Sequence, residues 1–198
     1  MNMRNFLSIV LISITFCSFS QTPTDYLSKE FHKERRDILR SKMPKNSVAV
    51  VFANPVRNRA NDVDFIFHQD PNFYYLTGYK EPNAVLVLFS ENQTDEKGNS
   101  YNEILYVQKR DARAEQWNGK RLGIEGAKQE LGFAVAKNGE DFLQDAIDFK
   151  KFDKLFIEKF NDDYRNLSDA ADVFDLVKSF KQKAGYNPDI FLSRPKEY

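Results

Sequence analysis

The chain has 198 residues, 41% of them hydrophobic, with 29 Lys plus Arg against 29 Asp plus Glu and a formal net charge of zero. Balanced charge gives no steering toward nucleic acid or an anionic membrane surface, so neither partner is expected. The one cysteine, Cys17, lies among the first twenty residues, so the remainder offers no disulfide, thiolate nucleophile or zinc-thiolate site.

Met1 to Ser20 reads as a secretory signal peptide. Arg4 supplies a basic start, Phe6 to Phe16 an apolar stretch interrupted by small hydroxyl residues, and Ser18-Phe19-Ser20 the small residues of a cleavage site. Cleavage before Gln21 and export to the periplasm or the exterior are expected. The stretch falls short of the roughly 20 apolar residues of a spanning helix, and bulky Phe16 before Cys17 argues against lipid attachment. Loss of Arg4 leaves 28 basic residues against 29 acidic ones. Residues 21–185 are one domain's worth of chain, and residues 186–198, with Pro188 and Pro195, read as a linker.

Asp25 to Met43 has apolar residues near helical spacing, ended by Pro44. Ser47 to Ala53 and Ala84 to Phe89 are continuous apolar runs, read as strands buried on both faces. Glu103 to Val107 is a third strand, with polar Ser90 to Asn102 as a long hairpin loop. The aromatic run from Phe73 to Tyr79 reads as a strand or loop packed on the core, turning at Gly78. Helices are predicted over Gly123 to Leu131 and Gly139 to Phe149, a fourth strand over Lys154 to Glu158, and a helix over Ser168 to Ala184 capped by Ser168 or Asp169 and stopped by Gly185. Strands alternating with helices, plus one hairpin, predict an α/β domain with a mixed β-sheet flanked by helices.

Catalytic motifs are sparse. His32, in a highly charged helix, reads as a solvated surface residue, and His68 as a loop histidine. There is no His-x-x-x-His or Glu-x-x-His pair, no Gly-x-Ser-x-Gly elbow, and Gly119 and Gly123 do not make a phosphate cradle. No catalytic residue and no metal site is therefore assigned within these 198 residues. Trp117, flanked by Asn118, Gly119, Lys120 and Arg121, is either a packed core aromatic or an exposed ring at a contact. Asp62, in Arg59-Ala-Asn-Asp62, is either an Asx-turn residue or an acid facing a basic partner.

Six aromatics fall between Phe65 and Tyr79, and three segments stand out: Asp64-Phe65, Tyr75-Leu-Thr-Gly-Tyr-Lys-Glu-Pro82, and Glu115-Gln-Trp-Asn-Gly-Lys-Arg-Leu-Gly123. In this order they resemble the N-terminal domain of the aminopeptidase P family, the Xaa-Pro aminopeptidases of the creatinase and prolidase superfamily. The resemblance covers Glu34 to Gly132, and beyond that only the spacing of elements supports it. It implies an oligomer-forming, substrate-access domain of a secreted enzyme that releases the first residue from peptides with proline second. It further implies a separate catalytic domain holding two divalent metals, manganese by expectation, without which the 198 residues are expected to be inactive. Substrate-cleft or subunit contacts then fall to Trp117, Asp62, Arg121 and Tyr74, with Xaa-Pro peptides and further copies of the chain as partners. A prolidase N-terminal domain and a stand-alone noncatalytic binding module are the alternatives.

Overall fold

The computed structural model describes residues 27–95, 97–158 and 170–185. The expected signal peptide, the Ser168 or Asp169 cap and the 186–198 linker lie outside the described residues.

Ser28 caps the first helix, α1 (Lys29–Lys42), its hydroxyl accepting from Phe31 N at 3.2 Å. Strand β1 (Ser47–Phe52) comes next, then a small ribbon of β2 (Asn58–Ala60) and β3 (Val63–Asp64), the short helix α2 (Pro71–Thr77), and the hairpin β4 (Val85–Thr94) and β5 (Ser100–Val107). The rest comprises α3 (Glu115–Asn118), α4 (Gly123–Gln129), β6 (Ala136–Asn138), α5 (Gly139–Gln144), a 3-10 turn at Phe149–Lys151, β7 (Lys154–Ile157) and α6 (Val173–Ala184).

Five strands form one sheet in the order β6-β5-β4-β1-β7. The β1–β4 and β4–β5 pairs are antiparallel, whereas β7 joins β1 and β6 joins β5 in parallel. This is the mixed sheet expected, with helices on both faces. Alternation along the strands splits the core in two. Val48, Val50, Val85 and Val87 face the layer of α5 and α6, where Phe142, Phe149, Leu176 and Phe180 are buried. Val51, Leu86, Leu105 and Val107 face the opposite layer with Phe73 and Leu76 of α2 and Ala127 of α4. Each such fully buried side chain contributes about 1.5–3 kcal/mol of transfer free energy.

Several expectations are corrected. Phe73 to Thr77 is helical, neither strand nor loop. Asp70 accepts from Phe73 N at 2.8 Å, Pro71 starts the helix, and Gly78 ends it in the left-handed region at φ 72°. Ser90 to Asn102 is not a long loop: both strands run through it to a tight turn where Asp95 Oδ1 accepts from Lys97 N and Asn99 N, with a register shift between Leu88 and Gln93. The last helix starts at Val173 on an Asp172 cap.

His32 is not solvated. It is 2% exposed, its Nδ1 is 2.9 Å from Tyr75 O, and its ring meets Tyr74 and Phe31 edge-on. The fully buried residues of α1 are both polar: His32 and, one turn on, Arg36, with Leu39 packing partly buried on the core beyond them. Arg36 donates from Nε and one terminal nitrogen to Glu103 at 3.0 Å each, and from the other to Leu76 O at 2.8 Å, while its guanidinium lies over the Phe133 ring. Arg40 adds a bond to Glu103 at 2.7 Å. All three guanidinium nitrogens of Arg36 thus have acceptors, the condition for burying such a cation at tolerable cost.

Candidate functional site

The loop surface after β5 carries the chain's largest exposed apolar side chain. Trp117 is 86% exposed and sits on α3, a helix of four residues. So short a helix has no stability of its own, and its order comes from the ties around it. Asp111 Oδ1 accepts from Arg113 N and Ala114 N at 2.8 Å each, forming the turn that opens it. Glu115 accepts two parallel bonds from Arg110, both 2.8 Å. The Glu115 carboxyl is held below the usual carboxylate range, first by those Arg110 bonds and further by the Arg121 backbone N–H and the Lys120 charge, against the opposing effect of burial.

The two glycines of this stretch have specific duties. Gly119 leaves the helix at φ 80° and ψ 163°, a conformation confined to glycine. At Gly123, φ is 64° and a Cβ would fall 2.6 Å from Arg110 Cγ, so its bare backbone lets the arginine stem cross toward Glu115.

The segment is anchored to the body at Leu122. Its N–H donates to Glu81 Oε1 at 2.7 Å, and Glu81 Oε2 accepts from the Tyr79 hydroxyl at 2.8 Å. Tyr79 is 1% exposed; burial first, then the adjacent Glu81 charge, pushes its phenol well above the ordinary range. Tyr79 is fixed in turn by Thr77, whose hydroxyl accepts from Tyr79 N at 3.0 Å and donates to Phe73 O at 2.7 Å. Gln69 closes the assembly: its amide nitrogen donates to Tyr79 O and Glu81 O, and its oxygen accepts from Asn54 N and Asp70 N.

The remaining predicted site residues are dispersed. Asp62 is exposed in the two-residue turn between β2 and β3, beside Asn61 at φ 51°. The turn is tied by Asn58 Nδ2, which donates to Asn61 O and Val63 O. Tyr74 is half-buried, its ring edge-on to His32 with centroids 5.4 Å apart. Arg121 is half-buried and lines a cavity of about 640 Å³ with Glu81, Arg110, Lys120 and Glu125. Among the described residues, no hydrogen bond or ring contact joins any two of Trp117, Asp62, Arg121 and Tyr74. A second exposed apolar feature, Phe65 at 55% and Ile66 at 86%, lies on the segment after β3. His68 is exposed and lines a cavity there with Arg57 and Arg59.

Sequence reasoning did not pick out Glu81, Arg110 or Gln69. Glu81 was in view as part of Glu81-Pro82, but its bond to Leu122 spans 41 residues and leaves no local pattern. Among the described residues, no group of three or more His, Cys, Asp or Glu is arranged to hold a metal ion, and no helix is long and apolar enough to cross a membrane.

Comparison with known proteins supplies the context. A family model described as aminopeptidase P, N-terminal domain, matches residues 32–153. The chain is similar to the Xaa-Pro aminopeptidase of Haemophilus influenzae, 39% identical over 116 residues, which are 59% of this chain and 26% of that protein. It is also similar to the Xaa-Pro aminopeptidase of Escherichia coli, 36% identical over 106 residues, or 54% of this chain and 23% of that one. The chain thus spans about a quarter of the length of these curated relatives. Among solved structures, it superposes on Escherichia coli aminopeptidase P with the inhibitor Pro-Leu at a TM-score of 0.63 and 29% identity, covering 87% of this chain and 36% of that one. Pseudomonas aeruginosa aminopeptidase PepP gives 0.63 at 27% identity, covering 81% and 34%.

Proposed function

The chain belongs to the family of aminopeptidase P N-terminal domains, and from that premise we propose that it is the oligomer-forming, substrate-access domain of an exported Xaa-Pro aminopeptidase. In this reading the domain performs no bond cleavage. A catalytic domain with two divalent metals, manganese by expectation, hydrolyses the Xaa-Pro bond, and this domain shapes the approach to it from a neighbouring subunit.

The observation that carries the reading is Trp117: a large apolar ring, 86% exposed, on a segment held by five hydrogen bonds to Asp111, Glu115 and Glu81. Ordering a loop costs about 1–2 kcal/mol per residue, and an exposed ring offsets none of it within the isolated domain. An indole so presented suits a contact surface, and its flat apolar face suits a proline ring. Asp62, Arg121 and Tyr74 would contribute to the same shared cleft from the assembled subunits.

The test is kinetic, in the full-length polypeptide that carries this domain. Trp117→Ala raises KM, or lowers kcat/KM, for longer Xaa-Pro peptides with metal content unchanged. Its stability cost is small: the 14% of the ring that is covered corresponds to roughly 35 Å² and about 1 kcal/mol. A loss of about 3–5 kcal/mol, the signature of a buried tryptophan, with unchanged kinetics in the folded enzyme would refute the cleft role.

A further inference from the structure

Trp117 can act on a partner only if its segment is held in place relative to the body of the domain; Leu122 and Ile124 pack their side chains on the core at its far end, and one carboxylate adds the directional tie. The Arg110–Glu115 pair is internal to the loop, so it stiffens the loop without locating it. Glu81 faces both ways. One oxygen accepts from Leu122 N on the Trp117 side, and the other from the hydroxyl of Tyr79, which is buried in the core and set edge-on against Phe73. The Glu81 backbone is itself pinned by Gln69.

We infer that Glu81 is a positioning residue: its carboxylate sets where Trp117 is presented by coupling the Leu122 end of that segment to the fixed Tyr79 hydroxyl. It touches neither substrate nor metal in this role, and its consequence for turnover rests on the cleft role proposed for Trp117. Glutamine can take over both contacts. Its oxygen would accept from Leu122 N, while its amide would donate to the Tyr79 oxygen with the phenol proton turned away. Alanine supplies neither.

The experiment exploits Trp117 being the only tryptophan in the 198-residue chain, so the indole's time-resolved fluorescence anisotropy reads this one position. In Glu81→Ala the amplitude of the fast depolarisation, on the nanosecond timescale of loop motion, rises about two-fold, while Glu81→Gln keeps the wild-type decay. Tyr106→Phe is the control for general loosening: it removes a bond to Asp145 at the end of α5, in the core layer on the opposite face of the sheet from Tyr79, so it lowers the unfolding midpoint without changing the indole decay. Should Glu81→Ala fail to fold, Tyr79→Phe frees Glu81 from the core and raises the fast component in part.

An unchanged decay in Glu81→Ala, no rescue by Glu81→Gln, or an equal change in Tyr106→Phe overturns the inference. Kinetics keep the two readings apart. If Glu81→Ala loosens the indole but the full-length enzyme is indifferent to both Glu81→Ala and Trp117→Ala, the positioning role stands and the cleft reading falls. If Trp117→Ala alters KM while Glu81→Ala leaves the indole rigid, the cleft reading stands and the positioning role falls.

Discussion

Replacing Glu103 tests the buried face of α1 most directly. Three charge-assisted hydrogen bonds converge on its carboxylate, two from Arg36 and one from Arg40. Glu103→Ala leaves Arg40 with Asp37 at 2.5 Å and Phe89 O at 3.2 Å, so that guanidinium loses little. Arg36 is fully buried and keeps only Leu76 O and the face of Phe133. An uncompensated buried cation costs about 3–5 kcal/mol, about a fifth or more of the stability of an ordinary domain. With a urea m-value near 2 kcal/mol/M, this lowers the midpoint by roughly 2 M. Glu103→Gln keeps the shape and one acceptor and costs about 1–3 kcal/mol. The double variant Arg36→Met, Glu103→Met removes the cation together with its partner and recovers most of the loss. Equilibrium urea denaturation of all three decides the matter. A Glu103→Ala cost below about 1 kcal/mol, the range of a surface ion pair, would show that Arg36 has found water and that the buried-cation reasoning is wrong.

Gly78→Ala should cost more than about 2 kcal/mol, since the left-handed backbone alone accounts for about 1–2 kcal/mol and the new Cβ would sit 2.7 Å from His32 Cδ2. Gly98→Ala, at φ 83° with nothing within 4 Å, isolates the backbone part, and equal losses in the two variants would rule out the His32 contact. Tyr79 and Tyr106 both have phenols pushed well upward by burial and a carboxylate neighbour. The folded chain therefore keeps these protons when the unfolded chain loses its own near pH 10. Stability is full below that pH and falls above it. The thermal midpoint should drop between about pH 9.5 and 11, and Tyr106→Phe should drop less steeply; parallel curves would refute the assignment.

Much of the sheet was legible because β1, β4 and β5 are apolar runs whose burial their composition announces. The aromatic segment misled because Phe and Tyr favour strands, while the deciding signals were two residues at its edge, the Asp70 cap and Pro71. Strand continuation through Ser90 to Asn102 was hidden because those residues are largely exposed and polar, with pairing carried by backbone. The burial of His32 and Arg36 is a tertiary effect: nothing within α1 distinguishes them from its solvated charges until α2, Phe133 and Glu103 are placed against it. At the candidate site, the glycines and basic residues after Trp117 are compatible with a packed or an exposed ring, and the fold decides for exposure; Glu81 and Arg110 emerge only from three-dimensional proximity.

The sheet order also bears on how the chain assembles. The β4–β5 hairpin closes locally, whereas β1 waits for partners on both sides, and its parallel neighbour β7 arrives far later in the chain; Asn46 Nδ2 meets Lys151 O across 105 residues. Loop-closure entropy makes such a pairing slow relative to the hairpin. During synthesis the flank of β1 that β7 will occupy therefore stays open, an apolar strand edge available to other chains. Folding yield, more than final stability, should be sensitive to how quickly Lys154 to Ile157 reaches that edge.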